Sequence, residues 1–143
     1  MLNVAPRQIV WVIRKNRNNE YYLDIGEVIG FKVFNDRKTN DPIWKICVES
    51  WLNNSKLYNK ISDLDNIVFF NAEDAINKLS ENINAIILHY HKKYKFIDNE
   101  TYYVNKINKT KNGIVYEMIN CNSNTIKTIT NKDINELLDE FIY

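Results

Sequence analysis

Two histidines, two cysteines and a few acidic pairs are the groups in this sequence closest to chemistry. His89 and His91 lie two residues apart. On a helix that spacing turns one side chain about 200° away from the other. A helical metal pair needs a spacing of three or four, and no cysteine or acidic cluster stands beside them in sequence. They read as surface and helix-end residues. Cys47 and Cys121 form no CxxC or other metal-ligand spacing. They read as buried free thiols of a reducing compartment. Asp63 with Asp65 reads as a solvated loop, and Glu73 with Asp74 as the acidic first turn of a helix. The chain has no P-loop, GxGxxG, GxSxG or HExxH. The expectation is a non-enzyme with no metal and no cofactor.

A run of mixed lysine and aromatic residues is the stronger signal. It comprises Tyr90, Lys92, Lys93, Tyr94 and Lys95, joined farther on by Lys106, Lys109 and Lys111. Tyrosines among lysines can stack bases while ammonium groups meet phosphate. The competing reading is a helix C-terminus followed by a solvated hairpin. Composition favours the latter. The chain has 23 Asn, 20 Ile and 15 Lys but only 4 Arg, 4 Ala and 3 Gly, the bias of an AT-rich genome, which enriches Lys everywhere. Net charge is +1, so no global field draws the chain to nucleic acid or an anionic membrane.

The elements that would position these residues follow from periodicity. Strands are predicted over 8–14, 21–25, 27–34, 43–51 and 67–70, rich in β-branched and aromatic residues. In the fourth, Trp44, Ile46 and Val48 share one face and Lys45, Cys47 and Glu49 the other. Residues 52–66 read as irregular. Asn71 caps a helix over about 71–92 with a stripe of Ile76, Leu79, Ile83, Ile86, Ile87 and Tyr90. Strands follow over 101–107, 113–119 and 125–129, with Asn112-Gly113 as a hairpin signal. Thr130 to Asp133 resembles a capping box opening a second helix to about 142.

These elements make an α+β protein with antiparallel sheets and two amphipathic helices. The domain expectation is a β-rich lobe over 1–95 and a smaller lobe over 96–143, packed as one unit. Both halves end as strand, asparagine, acidic turn and helix, with Asn71–Ile76 matching Asn131–Ile134, a pattern an old duplication leaves. Residues 1–7 lack a signal peptide's apolar stretch, and no run reaches the roughly 20 residues of a membrane span. The cytoplasm is the expected location, without membrane attachment.

The phrase Ile67-Val68-Phe69-Phe70-Asn71-Ala72-Glu73-Asp74-Ala75-Ile76-Asn77-Lys78-Leu79 resembles small proteins of bacterial phages and mobile elements. In these, strands of an SH3-like half-barrel lead into a hydrophobic-Phe-x-x-x-Glu-Asp/Glu-Ala phrase that opens a helix. The likeness covers residues 9 to about 90. It carries over no catalytic residues. It implies a non-catalytic inhibitor, working in a bacterial host's cytoplasm, that binds and blocks a host defence protein or sequesters a signalling nucleotide. A small nucleic-acid-binding module using the Lys/Tyr surface is the alternative. Exposed strands and tyrosines also predict a homodimer.

Overall fold

The computed structural model describes residues 7–64 and 66–142. Most of them are strand. β1 (Ile9–Lys15), β2 (Tyr21–Asn35), β3 (Pro42–Ser50), β4 (Lys56–Lys60) and β5 (Val68–Phe69) form one antiparallel sheet in the order β4-β3-β2-β1-β5. A 3-10 turn, Ile61–Asp63, separates β4 from β5, and α1 (Ala72–Ser80) follows. β6 (Lys93–Phe96), β7 (Thr101–Thr110), β8 (Gly113–Asn120), β9 (Ile126–Thr130) and β10 (Leu138–Phe141) form a second, ordered β9-β8-β7-β6-β10, with α2 (Asn131–Leu137) between β9 and β10. The broad α+β expectation holds, with strand far outweighing helix.

Two compact units divide the chain. The first runs to Ile13 and from Asp24 to Ala75; the second takes 14–23 and 76–143. Residues 76–95, grouped with the first lobe from sequence, therefore belong with the second. In the first unit Val10, Val12, Val28, Ile46, Val48 and Val68 make the core, with Ile61, Leu64, Ile67 and Phe70 packed against it. In the second, the fully buried residues include Ile87, Tyr94, Phe96, Tyr116, Met118 and Ile129.

Each sheet repeats the other at the level of single hydrogen bonds. Arg7 and His91 both take positive φ, 67° and 60°. The Arg7 N–H donates to the Val28 carbonyl and the His91 N–H to that of Val104. Both valines sit at a bulge in the second strand of their sheet, between Val28 and Gly30 or between Val104 and Lys106. The Ile13 N–H reaches the Ile67 carbonyl as the Ile97 N–H reaches that of Leu137, both at 2.9 Å. After the third strand, the loops Ser50–Ser55 and Asn120–Thr125 close alike, with Asn54 and Asn124 in the left-handed region. Asn there does the work usually given to Gly, because its short amide tolerates αL. Then Asp63 accepts the Lys60 N–H, and Asp133 accepts that of Thr130. The true counterpart of α2 is thus the 3-10 turn. The matching of Asn71–Ile76 with Asn131–Ile134 is corrected.

Both helices are shorter than their stripes predict. α1 stops at Ser80, where the predicted helix runs to 92. Asn82 turns its side-chain oxygen to the Asn84 N–H at 3.0 Å, a local bond that competes with helix. Ile83, Ile86 and Ile87 then lie in irregular chain, although their spacing fits a helix. α2 ends at Leu137, and residues 138–141 become β10 because β6 needs an edge partner. β4 lies in the stretch expected to be irregular, and β6, although it alternates, lies where the helix end was expected. The break predicted at Gly26 is a continuous strand. There a Cβ would press into the Glu49 carbonyl oxygen and the Val48 side chain, so glycine serves a close approach.

The turn after α1 is held to the second sheet by a buried network. The Tyr116 hydroxyl accepts the Ile87 N–H at 2.9 Å and donates to Asn131 Oδ1 at 2.7 Å. Asn131 Nδ2 donates to the Ala85 carbonyl at 2.7 Å. Burial pushes the Tyr116 phenol far above the ordinary tyrosine pKa, so it stays neutral. Tyr116→Phe leaves the Ile87 N–H and Asn131 Oδ1 short of a partner. It is expected to cost about 1–3 kcal/mol in urea unfolding, and a change below about 0.5 kcal/mol would contradict the network.

Candidate functional site

The second sheet scatters the lysines and tyrosines singled out from sequence. Tyr94 is fully buried, and its hydroxyl accepts the His89 N–H at 2.8 Å. It is therefore removed from any stacking surface, because β6 alternates and turns Tyr94 and Phe96 inward. Tyr90 is half exposed, yet its hydroxyl bridges the Ile107 N–H and carbonyl, at 3.1 and 3.2 Å. Lys92 is half-buried. Lys93 and Lys95 share a face of β6, and Lys95 lies opposite Glu140 and 3.9 Å from Asp139. Lys106 pairs across the strands with Glu117 and Lys109 with Ile114, so these two lysines stand on opposite faces. Lys109 forms an ion pair with Glu20. Lys111 occupies the two-residue turn before Gly113. No single basic surface results.

The remaining reactive groups are also dispersed. His89 has Nε2 at 2.6 Å from the Leu23 carbonyl, and His91 caps the approach to β6. Cys47 is buried as expected, but Cys121 is exposed in the loop after β8. Asp65 lies outside the described residues. Among the described residues no group of three or more His, Cys, Asp or Glu is placed to hold a metal ion. None of their helices is long and apolar enough to cross a membrane.

A different surface emerges on the ribbon made by β2 and β3 in the first unit. Here the strands outrun β4, whose last pair is Lys60 with Lys45. Val33 lies opposite Trp44 and Phe31 opposite Ile46. Phe31, Val33 and Trp44 thus share a face, and they are 42%, 41% and 56% exposed. Large apolar side chains clustered in this way mark a contact surface more often than an ordinary monomer face.

The other face of the ribbon is basic and aromatic. Lys32 pairs with Lys45, and Lys45 pairs with Lys60, so three lysines form one row across three strands. Like charges directly opposite destabilise a sheet. Aromatic rings relieve part of this: Lys32 Nζ lies 5.3 Å from the Phe34 ring centre and 5.8 Å from that of Tyr58, and Lys45 Nζ lies 4.8 Å from Phe34. The two rings meet edge to face at 5.5 Å. The Cys47 thiol, hydrogen-bonded to the Tyr58 hydroxyl, raises the phenol above the ordinary tyrosine pKa. At the tip, the backbone N–H groups of Lys38 and Thr39 hold the Asp36 carboxyl below its usual range.

Alternation in β3 displays both patterns, but the sequence gives no sign of which end of the strand is uncovered. That depends on where β4 stops, and β4 lies within residues 52–66, which the sequence marks as irregular. Within the second unit, a cleft of about 330 Å³ is lined by Asn19, Glu20, Tyr21, Asn82, Asn84 and Lys109. Its charges are already paired, Glu20 with Lys109.

No family model matches the chain, and neither curated proteins nor solved structures yield a significant match.

The Glu20–Lys109 pair has a pH signature. Hydrogen bonds from Lys109 and then Asn16 hold the Glu20 carboxyl below its ordinary pKa of 4.5. A folded pKa below the unfolded one lends stability above pH 4.5 that is lost as pH falls through the lower, folded value. Glu20→Gln should therefore lower stability near neutrality and shrink the loss on acidification. Denaturant titrations at neutral and acid pH check this; an unchanged acid loss in the variant would contradict it.

Proposed function

We propose that this chain is a non-catalytic binding protein that acts by occupying the surface of a partner protein through the β2–β3 ribbon. The exposed Trp44, Val33 and Phe31 face carries the reading. A tryptophan flanked by a valine and a phenylalanine on a β-ribbon is the kind of anchor that dominates protein interfaces. The row of three lysines on the reverse face supports it. Such a row costs folding stability, and an acidic partner offsets that cost. In the form the phage resemblance implies, the partner is a host protein, a defence factor among them, and the effect is inhibition.

The strand order supports the SH3-like part of the reading twice over. Each sheet places its fifth strand beside its first, with a short helical turn before the fifth. That order is what an SH3-like barrel would need, and it favours an internal duplication of one such unit as the origin of the chain.

A second reading rests on the lysine row itself. Lys32, Lys45 and Lys60 beside Phe34 and Tyr58 offer ammonium groups and aromatic faces together, which suits single-stranded nucleic acid. It leaves the Trp44 face without a role, so the protein-binding reading is preferred. The nucleotide-sequestering variant has less support, because the cleft beside Glu20 holds a carboxylate where phosphates would sit. Self-association through the Trp44 face is how the expected homodimer would form.

Affinity capture from a bacterial lysate, run in parallel with the wild-type chain and Trp44→Ser, tests the proposal. Trp44 is largely exposed, so the variant should fold with near wild-type stability. The expected outcome is a protein retained by the wild type and lost from the variant. Equal retention by both, or retention of nucleic acid alone, would overturn the reading.

A further inference from the structure

The internal repeat shows how the exposed ribbon is filled in the unit that fills it. The shared register places Trp44 where the second sheet has Ile114, Ile46 where it has Tyr116, and Ile61 where it has Asn131. In the second unit this position is covered by the irregular segment 83–87. The Ile83 carbonyl accepts the Ile114 N–H at 3.0 Å, the Ala85 carbonyl accepts Asn131 Nδ2, and the Ile87 N–H meets the Tyr116 hydroxyl. Ile114 is 2% exposed as a result, against 56% for Trp44.

In the first unit none of the described residues bonds its backbone to the equivalent edge from the side that β4 leaves. Trp44 lies one residue past the last β3–β4 pair, as Ile114 lies one residue past the last β8–β9 pair, Val115 with Thr130. The Ile114 N–H points away from β7, toward Ile83. The same register turns the Trp44 N–H away from β2, toward the side that β4 has left. The two polar handles of the second unit, Tyr116 and Asn131, are replaced by Ile46 and Ile61. An occupant is therefore held by the strand edge and by side chains, not by a buried amide and phenol.

We propose that the β3 edge at Ile43–Trp44 is a strand-addition site for an extended segment of a partner protein in which apolar and acidic side chains alternate. This rests on the protein-binding reading and names the partner's chemistry. A strand added beside β3 directs successive side chains to opposite faces. One set meets Phe31, Val33 and Trp44, which are apolar. The other meets Lys32, Lys45 and Lys60, whose row of like charges takes acidic side chains. A single ligand thereby accounts for both faces of the ribbon.

Binding of synthetic peptides to the full isotope-labelled chain, followed by amide chemical shifts, tests the proposal. The probes are an eight-residue peptide alternating Ile and Glu, its Ile/Lys counterpart, and a thymidine decamer. The Ile/Glu peptide should shift the amides of Phe31, Val33, Ile43, Trp44 and Lys45. The Ile/Lys peptide should bind about tenfold more weakly, as the loss of several exposed ion pairs implies. Lys45→Glu should narrow or reverse that preference, and Lys32→Glu provides the same test if the first variant folds poorly. Equal binding of the two peptides, shifts confined to other residues, or no shifts at millimolar peptide would each overturn the proposal. So would a decamer that binds the lysine row and displaces the Ile/Glu peptide without moving the Trp44 amide. Failure of these peptides alongside Trp44-dependent capture of a protein would overturn strand addition alone and leave the binding reading standing.

Discussion

An open antiparallel sheet leaves backbone groups along its edges, and how each edge is finished decides the character of both units. Here the third strand of each sheet outruns the fourth. In the second unit the exposed stretch is met by Ile83, and Tyr116 and Asn131 fasten the rest of segment 83–87. In the first unit the same stretch carries Trp44, which is 56% exposed, and no segment among the described residues is bonded over it. The repeat makes the comparison internal: two copies of one hydrogen-bonding plan, one finished and one unfinished. Unfinished edges are a hazard that proteins usually blunt with charge or a covering segment. Lys45 and Lys60 supply the charge, and Trp44 stands on the reverse face.

The strands built on strong alternation were legible: β1, β3, β5, β7, β8 and β9 lie within a residue or a few of their predicted positions. The hairpin at Asn112-Gly113 was also legible, because few residues other than Gly suit the positive φ of 111° there. β4, β6 and β10 were not. The sequence Lys56-Leu57-Tyr58-Asn59-Lys60 is strand only because β3 offers it a partner, and the stripe of 134–142 fits a helix as well as it fits a helix ending in a strand. Segment 83–87 shows the same limit. Its isoleucines fall at helical spacing, yet Asn82 bonds locally and the backbone is claimed by the second sheet.

The repeat itself was illegible in detail for a related reason. Equivalent core positions hold different residues of the same burial, Val10 and Val12 against Tyr94 and Phe96, or Val48 against Met118. What the copies share is backbone geometry, with asparagines or a charged residue at positive φ where glycine is scarce. The same pressure misdirected the reading of the site. Lysines crowded in sequence from 92 to 111 are dispersed by strand alternation, and Lys95, Lys106 and Lys109 lie against acids. Three lysines far apart in sequence, Lys32, Lys45 and Lys60, are aligned by register alone. Cross-strand pairing is invisible until the strand ends are known.

The central claim is that the Trp44 edge is open where its counterpart is closed. Amide hydrogen exchange of the free protein under native conditions compares the two directly. The account predicts strong protection of the Ile114 N–H, held by the Ile83 carbonyl, and fast exchange of the Trp44 N–H. Equal protection at Trp44 and Ile114 would mean that the edge is already filled, and would contradict it.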